Sequence, residues 1–409
     1  MTMHISSRAH TLGFDSERLA KIAPFLQDQY VNAGKIPCAQ VLIARKGETV
    51  LECSSGYMSV EHKTALQSDT IFRIYSMTKP LTSVAFMMLV EEGKVALDEP
   101  VAKYIAEFKN LQVYESGALG SFVTRPCQRP MQIIDLLRHT SGLTYGFQMR
   151  TPVDAAYREL KLGEVATAGT LDEMIAKLAT IPLEFSPGTA WNYSVSTDVL
   201  GYLVSKISGE PFETFLHRRI LQPLRMVDTD FYVPPAKANR FADCYLATQS
   251  GGMSLADSAA KSPYLRPAGF ISGGGGLVST TADYARFCTM MMRGGELGGK
   301  RYLGRKTVEL MQSNHLPSGK YLPDMSVSMF SESIFNGVGF GLGFSVVENP
   351  AATMIAGSAR EAAWGGMAST AFWLDPQEDL FVIFMTQLIP SSTYAIRRQL
   401  RTMVYASLR

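Results

Sequence analysis

Cysteine is scarce and scattered. The five residues, Cys38, Cys53, Cys127, Cys244 and Cys288, are odd in number and form no Cys-x-x-Cys. That pattern argues against a disulfide framework or a zinc site and points to buried small hydrophobes. No run of eighteen apolar residues occurs, so no membrane-spanning helix is expected. The segment 1–14 lacks a basic patch followed by an apolar run, so no secretory leader is expected and the cytoplasm is the default location. Charge is sparse too: 19% ionised residues and a formal net charge of +2 argue against a polybasic nucleic-acid surface or an acidic tail. No internal repeat or long low-complexity tract is present.

What is there is ample core material. The chain has 409 residues, 46% of them hydrophobic. That is too long for one simple core and predicts two domains, or one with a smaller unit inserted. Residues 16–30 read as a helix ended by Gly34. Apolar runs at 39–44 and 49–53 flank Lys46-Gly47-Glu48, a hairpin signal. From about 106 to 265 helical patterns dominate, at 131–137, 171–178, 195–207 and 212–220, followed by a helix at 281–293. Strand character returns at 340–347, 353–356, 368–374 and 380–386, and a last helix covers 392–408. These signals predict an α+β fold in which antiparallel strands from both ends of the chain form one sheet flanked by terminal helices. The expected division is 1–80 with 275–409 as an α/β domain and 81–274 as a mostly helical insert, with the active site in the cleft between them.

The chemistry centres on Ser76-Met77-Thr78-Lys79-Pro80. Residues three apart share a helix face, so Ser76 Oγ and Lys79 Nζ point into the same space, and an amine there can activate a serine nucleophile. A chain of this length holds about one Ser-x-x-Lys by chance; the other is Ser258-Ala259-Ala260-Lys261, in loop-like surroundings. Ser76 differs because Leu81, Val84, Ala85, Met88 and Leu89 follow at helical spacing and Pro80 sits in the first turn. An N-capping serine is the bland alternative.

Three further stretches fit an acyl-transfer site. Pro187-Gly188-Thr189-Ala190-Trp191-Asn192-Tyr193-Ser194 presents Tyr193 before a helix, where a phenol beside a lysine can relay protons. Leu136-Leu137-Arg138-His139-Thr140-Ser141-Gly142-Leu143 offers His139 near Asp135, and a helix end hydrogen-bonding a loop is favoured over a Ser–His–Asp triad. Trp364-Gly365-Gly366-Met367 leads into a strand, where paired glycines admit close backbone approach and the Met367 N–H can join that of Ser76 as an oxyanion hole. Gly273 to Gly276 reads as a conformationally permissive turn, with a place at the border of the active site as the alternative.

These four motifs, in this order and spread over nearly the whole chain, resemble the β-lactamase-like serine hydrolases. Within them the chain is similar to the family VIII carboxylesterases, relatives of class C β-lactamases and penicillin-binding proteins. The resemblance implies a β-lactamase/transpeptidase-like fold and a serine carboxylesterase acting on small-molecule, short-chain esters through an acyl-enzyme. Ser76 is then the nucleophile, Lys79 and Tyr193 share the general-base work, and the Ser76 and Met367 N–H groups hold the oxyanion. Trp364, Gly365 and Gly366 stand where β-lactamases carry Lys-Thr-Gly. Trp364 thus replaces a cation that favours a β-lactam carboxylate, and Val195 stands where class C enzymes carry asparagine, so a neutral ester suits the site better than a β-lactam. No metal or organic cofactor is implied. Tyr145, Phe147 and Trp191 are candidate pocket walls, shaped with loops 107–130, 145–170 and 315–338. Acyl transfer to an alcohol, β-lactamase or D-peptidase activity, and a non-catalytic penicillin-binding-like sensor are the alternatives. The absence of Gly-x-Ser-x-Gly disfavours an ordinary α/β-hydrolase.

Overall fold

Leu380–Met385 is six consecutive apolar residues, every one buried. A strand sends alternate side chains to opposite faces, so one that is apolar throughout belongs between two layers. The computed structural model, which describes residues 1–165, 168–328 and 335–409, places it there. Leu380, Val382 and Phe384 join one buried cluster, and Phe381, Ile383 and Met385 join another.

The strands of the main sheet are β1 (Thr2–Ile5), β2 (Cys38–Arg45), β3 (Glu48–Ser59), β4 (Thr64–Ala65), β5 (Val338–Phe340), β6 (Ser345–Val347), β7 (Ala362–Gly365), β8 (Ala371–Asp375) and β9 (Leu380–Met385). Their order is β1-β3-β2-β9-β8-β7-β6-β5, with β4 paired to β3. All neighbours are antiparallel. The two ends of the chain meet at β2 and β9, with Leu380 opposite Arg45 and Met385 opposite Gln40.

Four helices matter for the site: α1 (Thr78–Glu91), α2 (Ser196–Ser208), α3 (Thr281–Met292) and α4 (Ile396–Ala406). One sheet face is covered by Leu19, Ile22 and Leu26 from the N-terminal helical segment and by Ile396, Leu400 and Val404 of α4. The other face packs on Tyr284, Phe287 and Met291 of α3. That second core continues without a break into α1 and α2 and the rest of the helical region. Helix α1 is buried from Thr78 to Leu89, as expected of a helix apolar on all sides. No helix among the described residues is long and apolar enough to cross a membrane.

The α+β class and the antiparallel sheet match the expectation, and several local details differ. The apolar stretch 340–347 is a hairpin, β5 and β6, because the chain reverses at Gly343 with φ +97°. The strand expected at 353–356 is instead the short helix Pro350–Thr353 and its exit, the strand itself lying at β7. The first helix is broken into Ser16–Leu19, Ile22–Leu26 and Gln27–Val31. The helical region also contains small strands: Gln112–Ser116 pairs with Val123–Pro126, and Cys244–Ala247 pairs with Met253–Asp257 and with Leu388–Ile389. Such short, mixed-polarity runs carry no clear period.

Arg73 fixes the approach to Ser76. Its buried guanidinium donates from Nε to Asp257 at 2.7 Å, from Nη1 to the Ala242 carbonyl at 2.5 Å and from Nη2 to Ser262 Oγ at 3.1 Å. The Phe241 ring lies 4.0 Å from it. Replacing Arg73 by Met leaves Asp257 without its cation, so a loss of about 3–5 kcal/mol is expected, read as a lower denaturant midpoint.

Candidate active site

The chain turns sharply at Tyr75, whose φ of +41° is rare for a residue with a side chain. The 3-10 turn Tyr75–Met77 then runs directly into α1. Ser76 and Lys79 therefore come out on one face, as their spacing predicts. Lys79 is only 2% exposed. Its Nζ donates to the Gly274 carbonyl at 2.7 Å, to the Tyr145 hydroxyl at 3.0 Å and to Ser76 Oγ at 3.3 Å. Three hydrogen-bond partners thus surround the Lys79 nitrogen. The Tyr193 ring stands beside it, its centroid 4.5 Å from Nζ.

Tyr193 is presented by two stretches that bind each other. The Gly188 N–H donates to the Thr140 carbonyl at 2.8 Å, and the Asn192 N–H to the His139 carbonyl at 3.0 Å. His139 Nδ1 lies 3.2 Å from Ser194 Oγ. Burial, reinforced by the Lys79 charge, holds the His139 pKa well below its ordinary value. Asp135 is bound by Arg129, Arg138 and Thr140. His139 and Asp135 thus brace the turn.

The turn expected to supply the second oxyanion donor, Met367, follows the end of β7. Gly366 packs so tightly on the approach to Ser76 that a Cβ would collide with the Ile74 carbonyl oxygen. This brings the Met367 backbone beside the Ser76 turn. Neither N–H has an acceptor among the described residues. Arg397 of α4 holds the turn from behind, its Nη2 donating to the Gly366 carbonyl at 2.9 Å and the Thr370 carbonyl at 2.7 Å.

Ser76, Tyr145, Phe147, Tyr193, Trp364, Gly365, Gly366 and Met367 all line one cavity of about 930 Å³. Trp191 does not. It lies behind Tyr193, ring centroids 6.3 Å apart, and is buried, so its large ring serves packing rather than the expected wall. Of the loops expected to shape the cavity, residues 146–149 and 162–165 contribute, as do Phe335 and Val338; residues 166–167 and 329–334 lie outside the described residues. Residues 107–130 do not line it, part of that loop being held as the small strand pair described above.

Three features went unread in the sequence. Tyr145, expected as wall, is also a hydrogen-bond partner of Lys79. Gly274 and Gly275 line the cavity, and the segment 273–276 is glycine for space rather than for a special turn. None has positive φ; a Cβ on Gly273 would lie 2.7 Å from the Thr197 carbonyl, and one on Gly274 would lie 2.5 Å from the Asp198 carboxylate. Asp198 itself, buried in the first turn of α2, was missed. A lone carboxylate opening an apolar helix was the available signal.

The fold and this site define a serine hydrolase of the β-lactamase-like superfamily. Residues 25–404 match the family model described as Beta-lactamase, and the chain belongs to that family. It is 34% identical over 362 residues to Protein Rv1367c of Mycobacterium tuberculosis, covering 88% of each chain. It is 27% identical over 392 residues to Esterase EstB of Burkholderia gladioli, covering 91% of each. Among solved structures it superposes on EstCE1, a hydrolase with promiscuous acyltransferase activity, with a TM-score of 0.79 and 26% identity, covering 98% of this chain and 100% of that one. These matches bear out the resemblance to family VIII esterases.

Substituting Gly366 by Ala forces the turn away from Ile74. Catalytic turnover of an activated ester is expected to fall by about 10²-fold or more, with the circular dichroism spectrum retained.

Proposed function

We propose that this chain is a serine carboxylesterase working through an acyl-enzyme. The observation that carries the reading is Ser76 Oγ held 3.3 Å from the buried Lys79 amine at the wall of a large, largely apolar cavity. Ser76 attacks the ester carbonyl while Lys79, assisted by Tyr193, takes its proton. The carbonyl electron pair moves to oxygen, facing the Ser76 and Met367 N–H groups. As the tetrahedral centre collapses, the proton passes to the departing alkoxide. Water repeats the sequence on the acyl-enzyme and restores Ser76.

A neutral ester fits the charges around the cavity. Arg158 is engaged by Asp154 and the Gly146 carbonyl, Arg401 by Glu361, and Arg397 by two backbone carbonyls. Trp364 offers an aromatic face where a β-lactam carboxylate would need a cation. The cavity has room for a bulky group on one side of the carbonyl beyond a short acyl chain. Acyl transfer to an alcohol is a second reading, favoured by the likeness to EstCE1, whose acyltransferase activity is described as promiscuous. It is tested by product partitioning when an alcohol competes with water.

The decisive assay is turnover of p-nitrophenyl esters from acetate to laurate by wild type and Ser76→Ala, with the chromogenic cephalosporin nitrocefin alongside. Fast hydrolysis of short esters, slow nitrocefin cleavage and loss of about 10³-fold or more in Ser76→Ala are expected. Undiminished turnover by Ser76→Ala would sink the assignment.

A further inference from the structure

The Tyr145 oxygen accepts a hydrogen bond from Lys79 Nζ, so the Tyr145 proton has to be aimed at a different acceptor. Asp198 offers one. The carboxylate is fully buried; its Oδ1 accepts from Ser272 Oγ at 2.5 Å and from the Gly274 N–H at 3.0 Å. Its Oδ2 is buried with no hydrogen-bond partner among the described residues. Oδ2 and the Tyr145 oxygen converge over the bare Cα of Gly274, where a Cβ would stand 2.5 Å from the first and 2.8 Å from the second. Burial, then the Asp198 charge and the Tyr193 phenol, push the Tyr145 pKa well above its ordinary value. The phenol therefore keeps its proton near neutrality and is unsuited to act as a base. Burial raises the Asp198 pKa while the Lys79 charge pulls it down, so amine and carboxylate sense each other.

The acyl-transfer sequence leaves one charge to be balanced. When Ser76 yields its proton, Lys79 becomes an ammonium in a site nearly closed to water. An unpaired ion in such a place is costly. In serine proteases a buried carboxylate behind the histidine orients the base and stabilises its cation.

We propose that Tyr145 and Asp198 extend Ser76–Lys79 into a buried relay: Tyr145 accepts from Lys79 Nζ and directs its own proton to Asp198 Oδ2, so that the carboxylate orients the amine and balances the ammonium formed during attack. Both are positioning residues, since neither touches the reacting atoms. The proposal rests on the reading of Ser76 and Lys79 given above. Ser272 and the 273–276 segment hold the carboxylate in place. The groups facing Lys79 are Ser76 from its own helical turn, Tyr145 and the Gly274 carbonyl from neighbouring loops, the Tyr193 ring, Asp198 of α2, and the His139 imidazole, which feels the ammonium charge.

The test compares wild type, Asp198→Asn, Tyr145→Phe, the double variant and Ser76→Ala on p-nitrophenyl acetate across pH. Removing the carboxylate charge disfavours a positive charge in the site, and the ascending limb of kcat/KM is expected to move to lower pH. The plateau kcat is expected to fall roughly 10- to 100-fold with KM changed little. The double variant is expected to be no slower than the slower single, because both substitutions break one chain of bonds. A folded Asp198→Asn enzyme with an unmoved limb and wild-type kcat overturns the proposal, and so do strictly additive losses. If Asp198→Asn does not fold, Tyr145→Phe decides: a moved limb and reduced kcat support the relay, and wild-type behaviour overturns it. Full activity in Ser76→Ala would bring down both the site reading and the relay. An inactive Ser76→Ala beside an unaltered Asp198→Asn would remove the relay alone.

Discussion

A primary amine that is almost out of reach of water must find hydrogen-bond partners within the protein. Lys79 finds three, and each comes from a different part of the chain: Ser76 from its own helical turn, Tyr145 from the loop after the His139 turn, and Gly274 from the segment leading to α3. The amine thereby gathers the site. Much of the surrounding architecture can be understood as what brings these acceptors to one point. Helix α1 is buried on all sides so that its first turn cannot shift. Helix α2 brings Asp198 against the glycine segment. The His139 turn and the Trp191–Ser194 stretch lock to each other through backbone bonds and set the Tyr193 ring over the amine.

The sheet supplies the other half. Its central strand is pinned between two cores, and β7 ends in the turn that reaches Ser76. That turn is held from both sides, by the bare Cα of Gly366 against Ile74 and by the Arg397 guanidinium on its carbonyls. Helix α4, at the far end of the sequence, therefore acts at the site without lining up any reacting group itself. The coupling is mechanical and short: one guanidinium, two carbonyls and a strand end.

Much of this was legible in the sequence because strong local signals coincided with what packing rewards. The apolar run of β9, the helical spacing after Ser76 and the motif order all survive folding unchanged, since burial on both faces and a common helix face are the same constraints read twice. Boundaries such as the β5–β6 hairpin were misread because a glycine reversal inside an apolar run has no periodic signature. Trp191 was misassigned because a large aromatic beside a motif tyrosine looks alike whether it faces a ligand or a core. Asp198 and the glycine segment escaped for a deeper reason. Their roles exist only where segments distant in sequence converge, and no window along the chain contains both partners.

The four consecutive glycines have a bearing on how such a site can diversify. At Gly273, Gly274 and Gly276 the space for even a methyl group is already taken, by the Thr197 carbonyl, by Asp198 and Tyr145, and by Phe231 and the Ser272 carbonyl. Those three positions are frozen: a side chain at Gly274 collides with Asp198 and with the Tyr145 hydroxyl that holds the amine, one at Gly273 or Gly276 collides with the packing behind them, and only Gly275 has room. Elsewhere the cavity is lined by Met149, whose side chain is exposed. A substitution at Met149 meets solvent, whereas Phe147 stacks on the Tyr145 ring at 4.7 Å. Divergence in substrate range, whether natural or by laboratory selection, is therefore channelled away from Gly273, Gly274 and Gly276, and libraries that randomise those positions would mostly return dead enzymes.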